Sequence, residues 1–106
     1  MVIRSWDGRA RPGAGEEYLA FLTEVMVPAI VALPGCLGVE VLRRTGAADH
    51  FVVQSRWMDE DAIKRFAGPD PEHAVVPERA QALLSEFDER ARHFDVVLTV
   101  SPDADG

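Results

Sequence analysis

Apolar and polar positions along this chain recur with two different periods. Residues 50–58, HFVVQSRWM, alternate in the strand period of two: Phe51, Val53, Ser55 and Trp57 share one face, and Val52, Gln54, Arg56 and Met58 share the other. Just upstream, CLGVEVLRRT sets Val39 and Val41 against Glu40 and Leu42, and the turn residues GAAD between the two segments predict a hairpin. From Gly15 the period lengthens. In EEYLAFLTEVMVPAIVAL, Leu19, Leu22, Val25, Met26, Ala29, Ile30 and Leu33 recur at helical spacing, with Glu16 and Glu17 near the positive N-terminal end. Pro28 removes a backbone donor inside this helix, which predicts a kink or break near Met26 and Val27. The helix is expected to end before Pro34 and Gly35.

The flanks complete the pattern. MVIRSW, followed by the turn signal DGRARPG, predicts a first strand of about six residues. Asp59 is placed to cap a short helix over DEDAIKRFA by accepting from the amide of Asp61 or Ala62, with Gly68 and Pro69 stopping it and Ile63 and Phe66 buried. After the loop GPDPEHAVVP, Pro77 suits a first turn and Ala80, Leu83, Leu84 and Phe87 predict a further helix. ARHFDVVLTV, residues 91–100, alternates Phe94, Val96, Leu98 and Val100 against His93, Asp95, Val97 and Thr99, a last strand with one fully apolar face. The order β-α-β-β-α-β, its second α split in two, is the α+β, ferredoxin-like plan: a four-stranded antiparallel sheet with helices on one face. Leu42, Val52, Met58 and Val97 make the uncovered face partly apolar, so a homodimer packed through the sheet faces is expected.

Composition narrows the partners. With 106 residues and 47% hydrophobic content, one domain over residues 1–100 is expected, followed by a disordered acidic tail, SPDADG, at 101–106. Eighteen acidic against eleven basic side chains give a formal charge of -7, which repels a phosphate backbone, so no nucleic-acid partner is expected. Apolar runs fall far short of the ~18 residues of a membrane span. Arg4 and Asp7 interrupt the N-terminal run where a signal peptide would be apolar, and a cytoplasmic protein with no membrane partner is expected. Cys36 stands alone, which rules out an internal disulfide. The three histidines and the acidic clusters lack the spacings of zinc and calcium sites, so no metal is expected.

One constellation is more specific. Trp57 at a strand end, then a short helix and FAG at 66–68, AVVP at 74–77 and HFDVV at 93–97, with PGCLGVEVLRR upstream, resembles the antibiotic biosynthesis monooxygenase superfamily of dimeric α+β barrels. The likeness covers roughly residues 1–100. It implies a binding cavity between the helices and the sheet of each subunit. The activities it implies are cofactor-independent oxygenation of polyketide-type phenols and anthrones, or heme degradation. Some similar oxygenases hold an aromatic substrate with a tryptophan at the end of the third strand, together with arginine, tyrosine and asparagine, and Trp57 matches that tryptophan. This chain has no asparagine, a departure from both patterns. The heme pattern also places a histidine on the helix after the tryptophan, whereas DEDAIKRFAG has none and His73 arrives only in the later loop.

Candidate site residues follow. His93, whose side-chain type titrates near neutrality, is the candidate catalytic acid or base, against the plainer reading of a bonded histidine at a sheet end. Arg43 is the candidate anion partner, with Arg44 and Arg56 as alternatives, against surface pairing with the excess carboxylates. Trp57 would stack on the substrate or fill the core, and Trp6, Tyr18 and Phe66 complete the candidate substrate-binding set. The expected function is a cofactor-independent monooxygenase acting on a small electron-rich aromatic or polyketide-type ligand, with no cofactor. The alternative is a non-catalytic, ligand-binding or stress-associated dimeric barrel, and heme degradation ranks third.

Overall fold

The hairpin expected from the alternating segments joins β2 (Cys36–Arg43) to β3 (His50–Trp57), with Val41 opposite Val53 and Val39 opposite Ser55. The computed structural model describes residues 1–102, so part of the acidic tail expected at 101–106 lies outside the described residues. On its other side β3 pairs antiparallel with β1 (Val2–Ala10), Val2 opposite Trp57 and Arg4 opposite Ser55. Phe51, Ser55 and Trp57 are buried and their partners Gly8, Arg4 and Val2 share their face, so the inner side of the sheet is the one expected.

β1 is nine residues long, not six. The turn signal after Trp6 does not end it, because Gly8 is needed inside the strand for a different reason. The Trp6 ring lies across it, and a Cβ there would stand 2.7 Å from the ring edge. The chain turns only at Arg11, whose carbonyl accepts from the amide of Ala14 at 2.8 Å.

The long helix follows its proline. α1 (Gly15–Phe21) passes into a π-helical stretch, Leu22–Met26, and then into α2 (Val27–Val31) with Pro28 in its first turn. Pro28 has no N–H for the carbonyl of Glu24, and the Val27 amide reaches back to Leu22 instead, giving the wider turn. α3 (Glu60–Ala67) starts as expected, Asp59 accepting from the Ala62 amide at 2.8 Å, and stops at Gly68, whose φ of 90° suits glycine.

The second half departs further from expectation. α4 (Glu78–Leu83) is shorter than predicted, and Leu84, read as helical, opens β4 (Leu84–Phe87), while β5 (Arg92–Asp95) follows after a break. Both strands run antiparallel to the same edge of β1, β4 along Gly8–Ala10 and β5 along Val2–Ser5. They are the fourth strand of the ferredoxin-like plan, interrupted by residues 88–91, and the sheet order is β2-β3-β1 followed by this pair. The unforeseen length of β1 supplies the partner that converts 84–87 from helix to strand. At the far end pairing stops for the opposite reason. The Val96 amide bonds to the carbonyl of Met1, where β1 runs out, and Val97, Leu98 and Val100 are left exposed rather than half-buried in a longer strand. The outer sheet face carries Leu42 opposite Val52, while Met58 stands exposed beyond the end of β3. Among the described residues no helix is long and apolar enough to cross a membrane.

Candidate functional site

The helices do not fill all the space over the inner sheet face. A cavity remains whose floor is Arg4 and Trp6 of β1 with Val53 and Ser55 of β3. One wall is the long helix, where Tyr18, Leu22, Met26 and Ile30 face inward across the π-helical stretch; the other is Phe66 of α3 with Val75, Val76 and Pro77 of the following loop. The space open to the centre of a water molecule is about 40 Å³, room for a few waters or one slim ring in this packing. Its surface is mostly apolar, with three polar side chains facing in.

Arg4 is the first, and its setting is unusual for a cation. It is 3% exposed and forms no ion pair among the described residues. One terminal nitrogen donates to the carbonyl of Pro71 and to Nε2 of His93 at 3.0 Å, the other donates to the carbonyl of His73 at 2.6 Å, and Phe66 presents its ring 5.5 Å from the guanidinium carbon. Burial pulls the guanidinium down to about 10, while Glu72 and Asp70, acting through space, push the other way; it stays charged at neutral pH. Two neutral carbonyls and an imidazole take three of its five donors, and none of these partners carries a compensating negative charge. The same contacts tie the loop at residues 71–73 to the sheet, next to the stretch that walls the cavity.

Tyr18 and Ser55 are the others. Tyr18 is 1% exposed, packs its ring edge on Phe51 at 5.4 Å and has its ionisation pushed well above the usual range by burial, so it is a neutral donor. Its hydroxyl makes no hydrogen bond to the described residues and no enclosed polar atom lacks a partner, so the hydroxyl keeps access to the cavity. Ser55 accepts from the Trp57 indole N–H at 2.8 Å, leaving its own proton to donate.

Of the residues expected from sequence, Trp6, Tyr18 and Phe66 line the cavity. Trp57 does not: it is wholly enclosed, stacked behind Phe66 at 6.1 Å and packed with Ile30, Ala62 and Ile63. It reaches the site only from behind, through Phe66, Ile30 and Ser55. Arg43 is also elsewhere, paired with Glu16 at 3.1 Å over the outside of Phe51, and Arg56 pairs with Glu40 on the outer face. His93 stands behind Arg4 rather than at the cavity. Burial and then the charge of Arg4 hold it below the usual histidine range, so it is neutral near pH 7 with Nε2 accepting. The sequence reading missed Arg4 and Ser55 as site residues. Among the described residues no three metal-ligating side chains converge.

Comparison with known proteins agrees with this architecture. A family model for antibiotic biosynthesis monooxygenases matches residues 1–71. A crystal structure of an antibiotic biosynthesis monooxygenase superposes with a TM-score of 0.73 at 21% identity, covering 92% of this chain and all of the other. A variant of SnoaB, a cofactor-independent oxygenase from Streptomyces nogalater, gives 0.74 at 19% identity over 95% of this chain and 97% of its own. The heme degrader MhuD from Mycobacterium tuberculosis, with two hemes in its active site, gives 0.70 at 22% identity over 95% and 100%. No curated protein matches significantly. At these identities the structural likeness establishes the fold, and the family model covers two thirds of the sequence. The chain therefore belongs to the antibiotic biosynthesis monooxygenase family, with the α+β ferredoxin-like fold of its dimeric barrels.

Proposed function

We propose that this chain is a cofactor-independent monooxygenase that takes a small electron-rich aromatic or polyketide-type molecule into the cavity of each subunit of a homodimer. The observation that carries the reading is a cavity walled by apolar and aromatic side chains that contains one buried guanidinium without a carboxylate partner. A flat ring bearing an oxygen anion suits both features. The cation stabilises a phenolate or enolate, and the electron-rich anion passes an electron to O2. Radical and superoxide combine as a peroxide, and loss of water leaves a carbonyl. For a methylene between aryl rings, one oxygen atom enters the product, the other leaves as water with both hydrogens, and the carbon supplies all four electrons. The chain contributes position and charge. Arg4 takes the role expected of Arg43, His93 acts by holding Arg4, and Trp57 supports Phe66 and Ser55 instead of stacking on the ring.

Sheet-to-sheet pairing is supported by Leu42 and Val52 on the outer face and by the exposed Phe94, Leu98 and Val100 near the sheet edge. A porphyrin fits less well, since among the described residues no histidine lines the cavity to hold its iron. The non-catalytic binding barrel remains the second reading. It is favoured by one observation: no lining side chain titrates near neutrality. Oxygen uptake against hydroquinones, anthrones and heme separates these readings. The oxygenase predicts consumption with one labelled atom from 18O2 in the product; a flat trace with ligands that bind favours the barrel.

A further inference from the structure

The cavity offers its ligand a cationic donor, two hydroxyls that donate or accept, and no base among the described residues. A guanidinium has five N–H donors. Three of those on Arg4 are committed, to Pro71, His93 and His73, which leaves one on a terminal nitrogen and the one on Nε. Ser55 has an acceptor site filled by the indole of Trp57, and its proton has no acceptor among the described residues. Tyr18 brings a neutral phenol with no hydrogen-bond partner among the described residues. Among the described residues no carboxylate, histidine or lysine lines the chamber. The charged and titratable groups facing Arg4 from other elements are His93 on β5, whose accessible nitrogen is occupied, and Glu72 and Asp70 in the loop, which form no ion pair with it.

We infer that the cavity selects its ligand as a preformed aromatic oxyanion, a phenolate or enolate already ionised in solution, because a buried guanidinium faces it and, among the described residues, no side chain lining it can take the ligand's proton. The inference rests on the cavity being the ligand site of the proposed function, but not on oxygen chemistry. It narrows the substrate class to arenes whose hydroxyl ionises near or below neutral pH. Simple phenols and catechols, protonated at that pH, fall outside it. It also sets the origin of any pH dependence of binding: the ionisation of the ligand, not of the protein.

The test uses the wild-type chain with 4-nitrophenol and its methyl ether, by isothermal calorimetry from about pH 6.5 to 8.5, on the alkaline side of His93, which is held below the ordinary histidine value. Apparent affinity should climb with the ionised fraction of the phenol and then level off, with no net proton taken up by the protein. The ether should bind about ten- to a hundredfold more weakly, the span of a charge-assisted hydrogen bond. Arg4→Gln should reduce phenolate affinity to that of the ether. Because Arg4 also ties down a loop, Tyr18→Phe is the second variant, expected to weaken the phenolate a few-fold and leave the ether unchanged. Equal binding of ether and phenolate, tight binding of the phenol with proton transfer to the protein, or no binding of either by the wild type overturns the inference. Anion-selective binding without oxygen uptake keeps it and sinks the oxygenase reading. Oxygen uptake from ligands bound neutral does the reverse.

Discussion

Replacing Trp57 by alanine discriminates between the two roles open to that residue, core element and cavity wall. The indole is 0% exposed, stacked on Phe66 and packed against Ile30, Ala62 and Ile63. Truncating an enclosed aromatic of this kind costs about 3–5 kcal/mol, the transfer term plus the hole left behind. A chain of this size has about 5–15 kcal/mol in total, so roughly a fifth or more of its stability should go. At roughly 4–8 °C per kcal/mol, the melting temperature should fall by about 12 °C or more. Trp57→Phe keeps most of the packing and loses the bond to Ser55 with part of the ring, and about 1–2 kcal/mol is expected. Urea unfolding followed by far-UV circular dichroism measures both, at one fixed protein concentration, since a dimer's stability depends on it. A Trp57→Ala cost below about 1 kcal/mol with an unchanged m-value would refute the reasoning. The indole would then border open space in solution, and the stacking role would return to it.

Four other outcomes are expected. Asp59→Ala removes the acceptor that starts α3 and should cost about 1 kcal/mol in the same urea assay. Gly8→Ala places a Cβ 2.7 Å from the Trp6 ring; the ring must shift, at about 1–3 kcal/mol, and the emission of Trp6 should move in a Trp57→Phe background. Arg43→Ala breaks only an exposed pair with Glu16 and should change stability by less than about 1 kcal/mol and ligand affinity not at all; lost affinity would bring Arg43 back into the site. His93 titrates below its ordinary 6.5, so between that value and the lower folded one the unfolded chain holds more protons than the native chain. Stability therefore rises with pH through this window and is lost as pH falls through it. His93→Gln, which keeps an acceptor for Arg4, should flatten the slope as pH falls below the ordinary histidine value; an equally steep slope would assign it to other groups.

The elements legible in the sequence were those whose cause is local. The hairpin, the cap at Asp59, the stop at Gly68 and the disturbance before Pro28 each depend on a few adjacent residues. Residues 84–87 were not legible in that way. Ala80, Leu83, Leu84 and Phe87 fit a helix by spacing, yet Leu84 turns its side chain into the core from a strand because β1 extends to Ala10 and offers an edge. A partner some seventy-five residues away in sequence decided between two periods that the segment satisfies almost equally well.

The site divides along the same line. Ser55 was visible as the one polar residue on the face of Phe51, Val53 and Trp57, and a polar group on an apolar strand face asks for a partner. Arg4 was hidden by the poor alternation of MVIRSW, where an arginine reads by default as pointing to solvent. Its direction follows only from register: Val2 lies opposite Trp57 and Arg4 opposite Ser55, so the inward face of β3 dictates the inward face of β1. What makes its burial tolerable comes from further away still, the carbonyls of Pro71 and His73 and the ring of His93. None of these is a carboxylate. Acidic residues outnumber basic ones, and Arg9, Arg43, Arg56, Arg90 and Arg92 each find a carboxylate at the surface. Arg4 is buried beside a cavity and bonds to no carboxylate among the described residues, which is why the proposed anion binding rests on it rather than on Arg43.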